Sequence, residues 1–434
     1  MWMAVNSFTD SSDCRMPTDS SSSNQRVAIT GMGIVSALGI DEDSVWSRLL
    51  EGKSGIDQLQ SLDTSKLKVG IGAEVPPGLV EDALKPLGRR PTDRALDMAI
   101  VASAQALLQA KLITGDGPFD NQDVSVILGT GTGSAQSHNQ AYNILFEKGS
   151  HNLRPTTVPR CMYNAISAGI SLQFRLTGTN YVIVSACTSA TNAIGTAFRM
   201  IRHGYADRVL CGGADGFFDP FSFGAWNNIG ALSRIEDPQK ACRPFAEDRQ
   251  GTVLGEGAGA IVLEAYDRAI ERGASIRAEI LGYGESSDAT HITKPSSEGQ
   301  AKAMKRALKD ACVDPSEIAL INAHGTATPG NDSCESESIR SVFGDQADRV
   351  PVVANKSYIG HTLGASGALE TIASVKMIEN RKAPPNLNLE NPDPACDLNL
   401  IKSKPVSIDT GPIMKNSFGF GGGNGVLIIS PNRV

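Results

Sequence analysis

Two segments of this chain recur in the same order. Val124-Ser-Val-Ile-Leu-Gly-Thr-Gly-Thr-Gly is an apolar, β-branched run closing in a small-residue turn, and Ile318-Ala-Leu-Ile-Asn-Ala-His-Gly-Thr-Ala repeats that form. Ala190 to Arg202 then begins in small residues and ends Phe-Arg-Met-Ile-Arg, while Gly367 to Glu379 ends Val-Lys-Met-Ile-Glu. A strand–turn unit followed by a helix, found twice in one order, restricts the chain to two similar α/β halves. Regular structure is expected to begin at Arg26-Val-Ala-Ile-Thr-Gly-Met-Gly-Ile-Val-Ser, from which short β-branched runs alternate with helical stretches.

One strand–helix junction carries chemistry. Val182-Ile-Val-Ser-Ala-Cys187-Thr-Ser-Ala-Thr-Asn-Ala runs from an apolar strand into a cysteine that opens a helix of small residues. A thiol there meets the positive end of the peptide dipole and unpaired backbone N–H groups, which favour the thiolate. A buried cysteine acting as a small hydrophobe is the competing interpretation. Two histidines fall at equally suitable places. His324 follows an apolar strand in Asn-Ala-His-Gly-Thr-Ala-Thr-Pro, and His361 lies in Lys356-Ser-Tyr-Ile-Gly-His-Thr-Leu-Gly-Ala, just past Val352-Val-Ala. Ligands in α/β sheets bind at strand carboxyl ends. No third ligand motif accompanies the pair, so no metal is expected. His138, His151, His203 and His291 take the structural default.

Composition removes several classes of function. With 40 basic and 47 acidic residues, the net charge of −7 gives no general field for nucleic acid. The eight cysteines contain no C-x-x-C and fit free thiols in a reducing compartment. No apolar run approaches a membrane span, and residues 1–25 are Ser/Asp-rich without an apolar signal core. A disordered tail and a cytoplasmic protein are the expectations.

The glycine-rich segments do not read as nucleotide sites. Gly129-Thr-Gly-Thr-Gly133 lacks the G-x-G-x-x-G spacing, and no G-x-x-x-x-G-K-[ST] occurs. Phe418-Gly-Phe-Gly-Gly-Gly-Asn-Gly425 holds too many glycines for a plain strand and two phenylalanines too many for a solvent turn. It reads as a loop lining a site.

Taken together, Val184-Ser-Ala-Cys187-Thr-Ser, Arg243-Pro-Phe with Gly255-Glu-Gly-Ala-Gly259, Asn322-Ala-His324-Gly-Thr-Ala-Thr-Pro, Lys356 with Gly360-His361, and Asn416-Ser-Phe-Gly-Phe-Gly-Gly make the chain resemble one family. It is that of the elongating β-ketoacyl-[acyl carrier protein] synthases, types I and II and closest to type II, in the thiolase superfamily. The resemblance runs from Arg26 to the C-terminus. It implies a duplicated thiolase-like fold layered α-β-α-β-α, with a five-stranded mixed sheet in each half. The halves would be 26–274, including dimerisation and cap insertions, and 275–434. It implies a homodimer, acyl carrier protein as partner, acyl and malonyl thioesters as substrates, and no cofactor beyond the phosphopantetheine those substrates carry.

The resemblance also implies roles. Cys187 would take up the acyl group, and His324 and His361 would hold the malonyl thioester oxygen during loss of carbon dioxide. Lys356 and Glu335 would tune the site and fix the histidines. Phe420 would act as a gate and, with the Cys187 N–H, supply the oxyanion hole, with Phe418 in support. Thr293, Thr326 and Thr328 would line the pantetheine tunnel, and Thr132, Ala186, Trp226 and Leu363 the acyl pocket. Arg89, Arg90, Arg94 and Arg234 would form a basic docking patch for the acidic carrier protein.

Departures from the family pattern bear on specificity. Gly423 stands where threonine is usual, Thr252 where phenylalanine is usual, Thr132 where type II enzymes often hold isoleucine, and Trp226 where phenylalanine is common. Chain-length preference therefore does not follow from sequence. The same chemistry in a specialised polyketide, aryl-polyene or unusual-lipid pathway stays open. So does a silent partner subunit of the chain-length-factor kind, although Cys187, His324, His361 and Lys356 are all retained. Thiolases would need a second catalytic cysteine in a Gly-flanked turn, and Cys396 lies in Asp-Pro-Ala-Cys-Asp-Leu instead. The initiating synthases use Cys-His-Asn, which His361 argues against.

Overall fold

The computed structural model describes residues 24–114 and 122–433. The tail expected over residues 1–25 lies outside these except at its end, where Gln25 already donates its N–H to the Arg202 carbonyl at 3.0 Å.

Eight elements recur twice. The first set is β1 (Val27–Val35), α1 (Arg94–Gln109), β2 (Ser125–Gly129), α2 (Ala165–Phe174), β3 (Asn180–Ile183), α3 (Ser189–Arg202), β4 (Arg208–Asp215) and β5 (Gly257–Ala265). The second is β6 (Ala278–Ser287), α4 (Ser297–Ala311), β7 (Leu320–Asn322), α5 (Pro329–Phe343), β8 (Val352–Val353), α6 (Ser366–Asn380), β9 (Ile413–Gly419) and β10 (Gly423–Ser430). Strand order across the first set is β1-β5-β4-β2-β3 and across the second β6-β10-β9-β7-β8, with antiparallel pairs at the start and parallel pairs at the end of each. Both echoes seen in the sequence fall on equivalent elements: β2 with β7, and α3 with α6.

One detail differs from two separate five-stranded sheets. The first strands of the two halves pair antiparallel through Val27↔Ile280, Ala28↔Glu279 and Ile29↔Ala278, giving a continuous ten-stranded ladder. Each edge thereby covers N–H and C=O groups that would otherwise be unpaired.

The layers follow from which faces are apolar. Helices α3 and α6 touch each other and strands of both halves. Around them lies the central core, where Ile194 and Phe198 of α3 and Leu369 and Ile372 of α6 meet Ile29, Ile261, Ile280 and Leu427. Helices α1 and α2 cover the outer face of the first half, and α4 and α5 that of the second. The result is α-β-α-β-α. Strand β1 is buried along its whole length, as a strand covered on both faces must be. The two central helices meet closely at their N-termini: a Cβ on Gly367 would stand 2.3 Å from the Thr191 Oγ1. Among the described residues no helix is long and apolar enough to cross a membrane, and the seven described cysteines are unpaired.

Candidate active site

Because α3 and α6 begin side by side, the turns that precede them face one cleft. Each turn is built alike. Three residues before α3 stands Ala186 at φ 52°, and three before α6 stands Leu363 at φ 46°. A left-handed conformation is unfavourable for a residue with a Cβ by about 1–2 kcal/mol. The next position is Cys187 in the first half and Gly364 in the second. A Cβ on Gly364 would lie 2.2 Å from the Gly131 nitrogen, so the duplicated site has room for one side chain at this position, and it is the thiol. Ala186 and Leu363 are the strained residues of the two turns, and Leu363 packs in the same apolar cluster as Cys187.

Cys187 Sγ lies 3.0 Å from His361 Nε2, and His361 Nδ1 lies 3.0 Å from Ser366 Oγ at the start of α6. The His324 ring stands edge-on to His361 at 5.3 Å between centroids. Backbone N–H groups of Phe420 and of Cys187 itself hydrogen-bond toward the sulfur. Both histidines are buried. Burial holds each imidazole well below its ordinary range, and the Lys356 ammonium pushes the same way. The thiol behaves oppositely to the expectation from sequence: burial pushes it up to about 11, against the lowering effect of Lys356 and the two N–H groups. The resting pair is therefore a neutral thiol beside a neutral imidazole, and the imidazole is the base that sulfur needs.

A buried polar network holds His324. Glu335 on α5 accepts the N–H groups of His324 at 2.8 Å and Gly325 at 2.9 Å, and side-chain amides of Asn416 at 3.1 Å and Asn331 at 3.4 Å. Burial raises its pKa, yet four N–H donors leave no acceptor for a carboxyl proton, so it is a carboxylate. Lys356 Nζ reaches the His324 carbonyl at 2.5 Å, His324 Nδ1 at 3.3 Å and Glu370 Oε1 at 2.5 Å. A second lysine, Lys415 of β9, meets the other oxygen of Glu370 at 3.1 Å. Neither Glu370 nor Lys415 stands out by motif. The only signal in sequence is a charge at a position where helix or strand periodicity places an inward-facing residue.

Cys187, His324 and His361 also bring one potential ligand atom each within 4.8 Å of one another, so the fold supplies a third donor that the sequence does not display. Lys356 beside His324 opposes a cation there and favours an anion.

Behind the thiol lies an acidic residue that no motif singled out. Asp215, at the end of β4, accepts from Thr130 Oγ1 (2.8 Å), Gly131 N (2.8 Å), Thr132 N (2.9 Å), Thr132 Oγ1 (2.8 Å) and Gly364 N (2.7 Å). The Gly129–Gly133 loop thus presents its N–H groups to an anion of the chain itself. Thr132 donates its hydroxyl to Asp215 at 2.8 Å.

A cavity of about 290 Å³ opens from Cys187 past Trp226, His324, His361, Phe418 and Phe420. Thr326 and Thr328 line it and bond to each other at 2.8 Å, and Thr293 lines its exposed mouth. Trp226 stacks on Phe420 at 5.7 Å with 19° between planes. Gly421 and Gly422, at φ 81° and 78°, need to be glycines, whereas Gly423 at φ −71° does not. Thr252 is buried in the cavity wall.

The arginines divide. Arg90 and Arg234 are exposed. Arg94 is not a free docking residue: it pairs with buried Glu256 at 2.7 Å and donates to the Val75 carbonyl at 2.8 Å. Arg89 is mostly buried and turned toward Asp97 at 3.7 Å. Both charges serve the fold of the first half.

Comparison with known proteins gives the same picture over nearly the whole chain. Residues 24–269 match the family described as "Beta-ketoacyl synthase, N-terminal domain", and 277–390 match "Beta-ketoacyl synthase, C-terminal domain". The chain is 41% identical to "3-oxoacyl-[acyl-carrier-protein] synthase 2" of Coxiella burnetii, over 94% of this chain and 98% of that protein. Among solved structures it is similar to "The ishigamide ketosynthase/chain length factor", at a TM-score of 0.87 and 33% identity, covering 95% of this chain and 100% of the other. It is also similar to a type II polyketide ketosynthase in complex with its acyl carrier protein, at a TM-score of 0.84 and 28% identity, covering 94% and 100%.

Proposed function

The chain belongs to the β-ketoacyl synthase family, and on that premise we propose that it is a 3-oxoacyl-[acyl carrier protein] synthase, a decarboxylating acyltransferase of fatty-acid elongation. The observation that carries the reading is the Cys187 sulfur 3.0 Å from a neutral His361, with His324 beside it. The thiol proton passes to His361 Nε2 as sulfur attacks the acyl thioester carbonyl. Phe420 and Cys187 N–H groups hold the oxyanion, and the carrier's pantetheine thiolate leaves with that proton. The malonyl carrier then occupies the same cavity. Its carboxylate leaves as carbon dioxide, and the enolate oxygen is held by the Nε2–H groups of both histidines, Lys356 donating to His324 Nδ1 and the Ser366 hydroxyl to His361 Nδ1 in the tautomer this step uses. The enolate carbon attacks the acyl-enzyme carbonyl, the C–S bond breaks, and the Cys187 thiolate takes up one proton from solvent, delivered through His361 Nε2, 3.0 Å from the sulfur. Side chains and substrate thioesters suffice for these steps, with no cofactor.

Phe420 must swing aside for the second substrate, with Gly421 and Gly422 taking up the rotation. Thr326, Thr328 and Thr293 suit the polar pantetheine arm. Exposed Arg90 and Arg234 suit an acidic carrier protein in the cytoplasm. An apolar surface supports a homodimer. It runs from the helix Ala135–Lys148 with Tyr142 and Phe146, through Val158, Met162 and Tyr163, to Leu172 of α2 and edge strand β3. Leu172 is 82% exposed and Phe146 81%, and an apolar area beside a sheet edge that pairs with no further strand among the described residues marks an interface.

The test is intact mass of wild type and Cys187→Ala after exposure to acyl carrier thioesters of graded length, then to malonyl carrier protein. Uptake on wild type alone, discharged as a 3-oxoacyl product two carbons longer, is the expected result. No adduct with any straight chain overturns the elongation reading. An adduct only with branched, aromatic or polyene chains favours a specialised ketosynthase; one solved relative is a type II polyketide ketosynthase bound to a hexaketide.

A further inference from the structure

Strand β9 alternates strictly. Met414 and Phe418 face the outer core of the second half, Asn416 reaches Glu335 on α5, and Ile413, Lys415 and Ser417 face the central helices. Lys415 is fully buried. Its ammonium donates to Thr191 Oγ1 of α3 at 2.8 Å and to Ser417 Oγ, and meets Glu370 Oε2 at 3.1 Å. Glu370 holds Lys356 on its other oxygen, and Lys356 in turn holds His324. A relay of four side chains therefore runs from the core of the molecule to the reacting centre.

With the neighbouring Glu335, whose field reaches Lys415, the relay brings together two acidic and two basic side chains. Glu370 and Glu335 are two buried carboxylates, and Lys356 and Lys415 are two buried ammoniums. Without Lys415, one ammonium would face two carboxylates, and the net negative charge would lie beneath the two histidines whose N–H groups must hold an enolate. We propose that Lys415 is a positioning residue for the decarboxylation step, a second buried cation that anchors Glu370 and keeps the support of His324 free of net negative charge. This rests on the functional reading above and extends it to a residue with no contact to substrate.

Lys415 is set apart from an ordinary structural lysine by its surroundings. Burial pulls its pKa down to about 8, against the raising effect of Glu370 and Glu335 and with the lowering effect of Lys356. Its charge acts on both histidines, lowering each. As pH rises through that value the ammonium loses its proton, the balance is lost, and enolate formation slows.

The experiment compares wild type, Lys415→Met and Lys415→Met/Glu370→Gln. Three quantities are followed: acylation of Cys187 by intact mass, carbon dioxide release from malonyl carrier protein across pH, and imidazole titration by NMR. Lys415→Met should release carbon dioxide at least tenfold more slowly at neutral pH, lose the alkaline limb near pH 8, and show His324 and His361 titrating higher. Acylation of Cys187 should change far less. The double variant removes the surplus carboxylate and should recover most of the rate, which a folding defect would not allow. Decarboxylation within twofold of wild type with an unmoved alkaline limb overturns the proposal, as does a double variant no faster than the single one. If wild type itself takes up no acyl group, the functional reading falls instead. The histidine titration then judges the relay alone, and unshifted imidazoles in Lys415→Met reject it.

Discussion

Alkylation of Cys187 by iodoacetamide measures which force governs the nucleophile. The helix N-terminus favours the thiolate, while burial favours the thiol, and in this site burial wins, with the group at about 11. At about pH 7.5 a thiol of that pKa is ionised to roughly three parts in ten thousand, whereas a free cysteine near 8.5 is ionised to roughly one tenth. Ionisation alone therefore slows Cys187 by about 300-fold. A more basic thiolate is also a better nucleophile, and a Brønsted slope of about 0.45 over roughly 2.5 units returns about 13-fold. The net expectation is alkylation about 20-fold slower than that of a free thiol. The exposed Cys312 provides a reference within the same molecule. The assay is peptide-resolved mass spectrometry from about pH 7 to 10, over which the Cys187 rate should rise close to tenfold per unit without levelling. A plateau below about pH 9 would refute the reasoning, because it would mean that N–H groups and Lys356 outweigh desolvation.

Other outcomes follow from named contacts. Arg94→Ala leaves Glu256 buried without its partner and should cost about 3–5 kcal/mol in denaturant unfolding, whereas Arg90→Glu and Arg234→Glu should leave the midpoint unchanged and weaken carrier-protein binding in a salt-dependent way. Asp215→Asn turns an amide toward donors that now meet a carboxylate. It should cost about 2–3 kcal/mol, while removal of that negative charge lowers the Cys187 pKa and speeds its alkylation, a pairing of effects that general damage would not give. The proposed homodimer predicts that wild type sediments as a dimer and that Leu172→Asp, which places a charge in the exposed apolar surface, sediments as a monomer; an unchanged sedimentation coefficient would reject this surface as the interface.

Much of the architecture is local and therefore legible. Strand β2 and helix α3 declare themselves by β-branched and small-residue patterning, and β7 and α6 repeat that patterning, so duplication follows without tertiary knowledge. Cys187, His324 and His361 are legible for the same reason, since each sits in a turn whose glycines and small residues are forced by close packing. What a side chain experiences there is not local. Burial raises the Cys187 thiol because the second half of the chain closes over it and removes water, against the lowering effect of Lys356 and of the N–H groups at its own helix end. Arg94 lies in a run of arginines that resembles a surface patch, and only the approach of Glu256, 162 residues away, turns it into an internal ion pair. Lys415, Glu370 and Asp215 carry no motif because their meaning is relational: each compensates charges or N–H groups brought from distant elements. Short-range sterics and periodicity encode the repeated α/β halves and the turns that present Cys187, His324 and His361, so both can be read from the chain alone. The electrostatic surroundings of these groups, and which arginines reach solvent, follow only from the folded molecule, because desolvation and Coulomb interactions depend on neighbours in space.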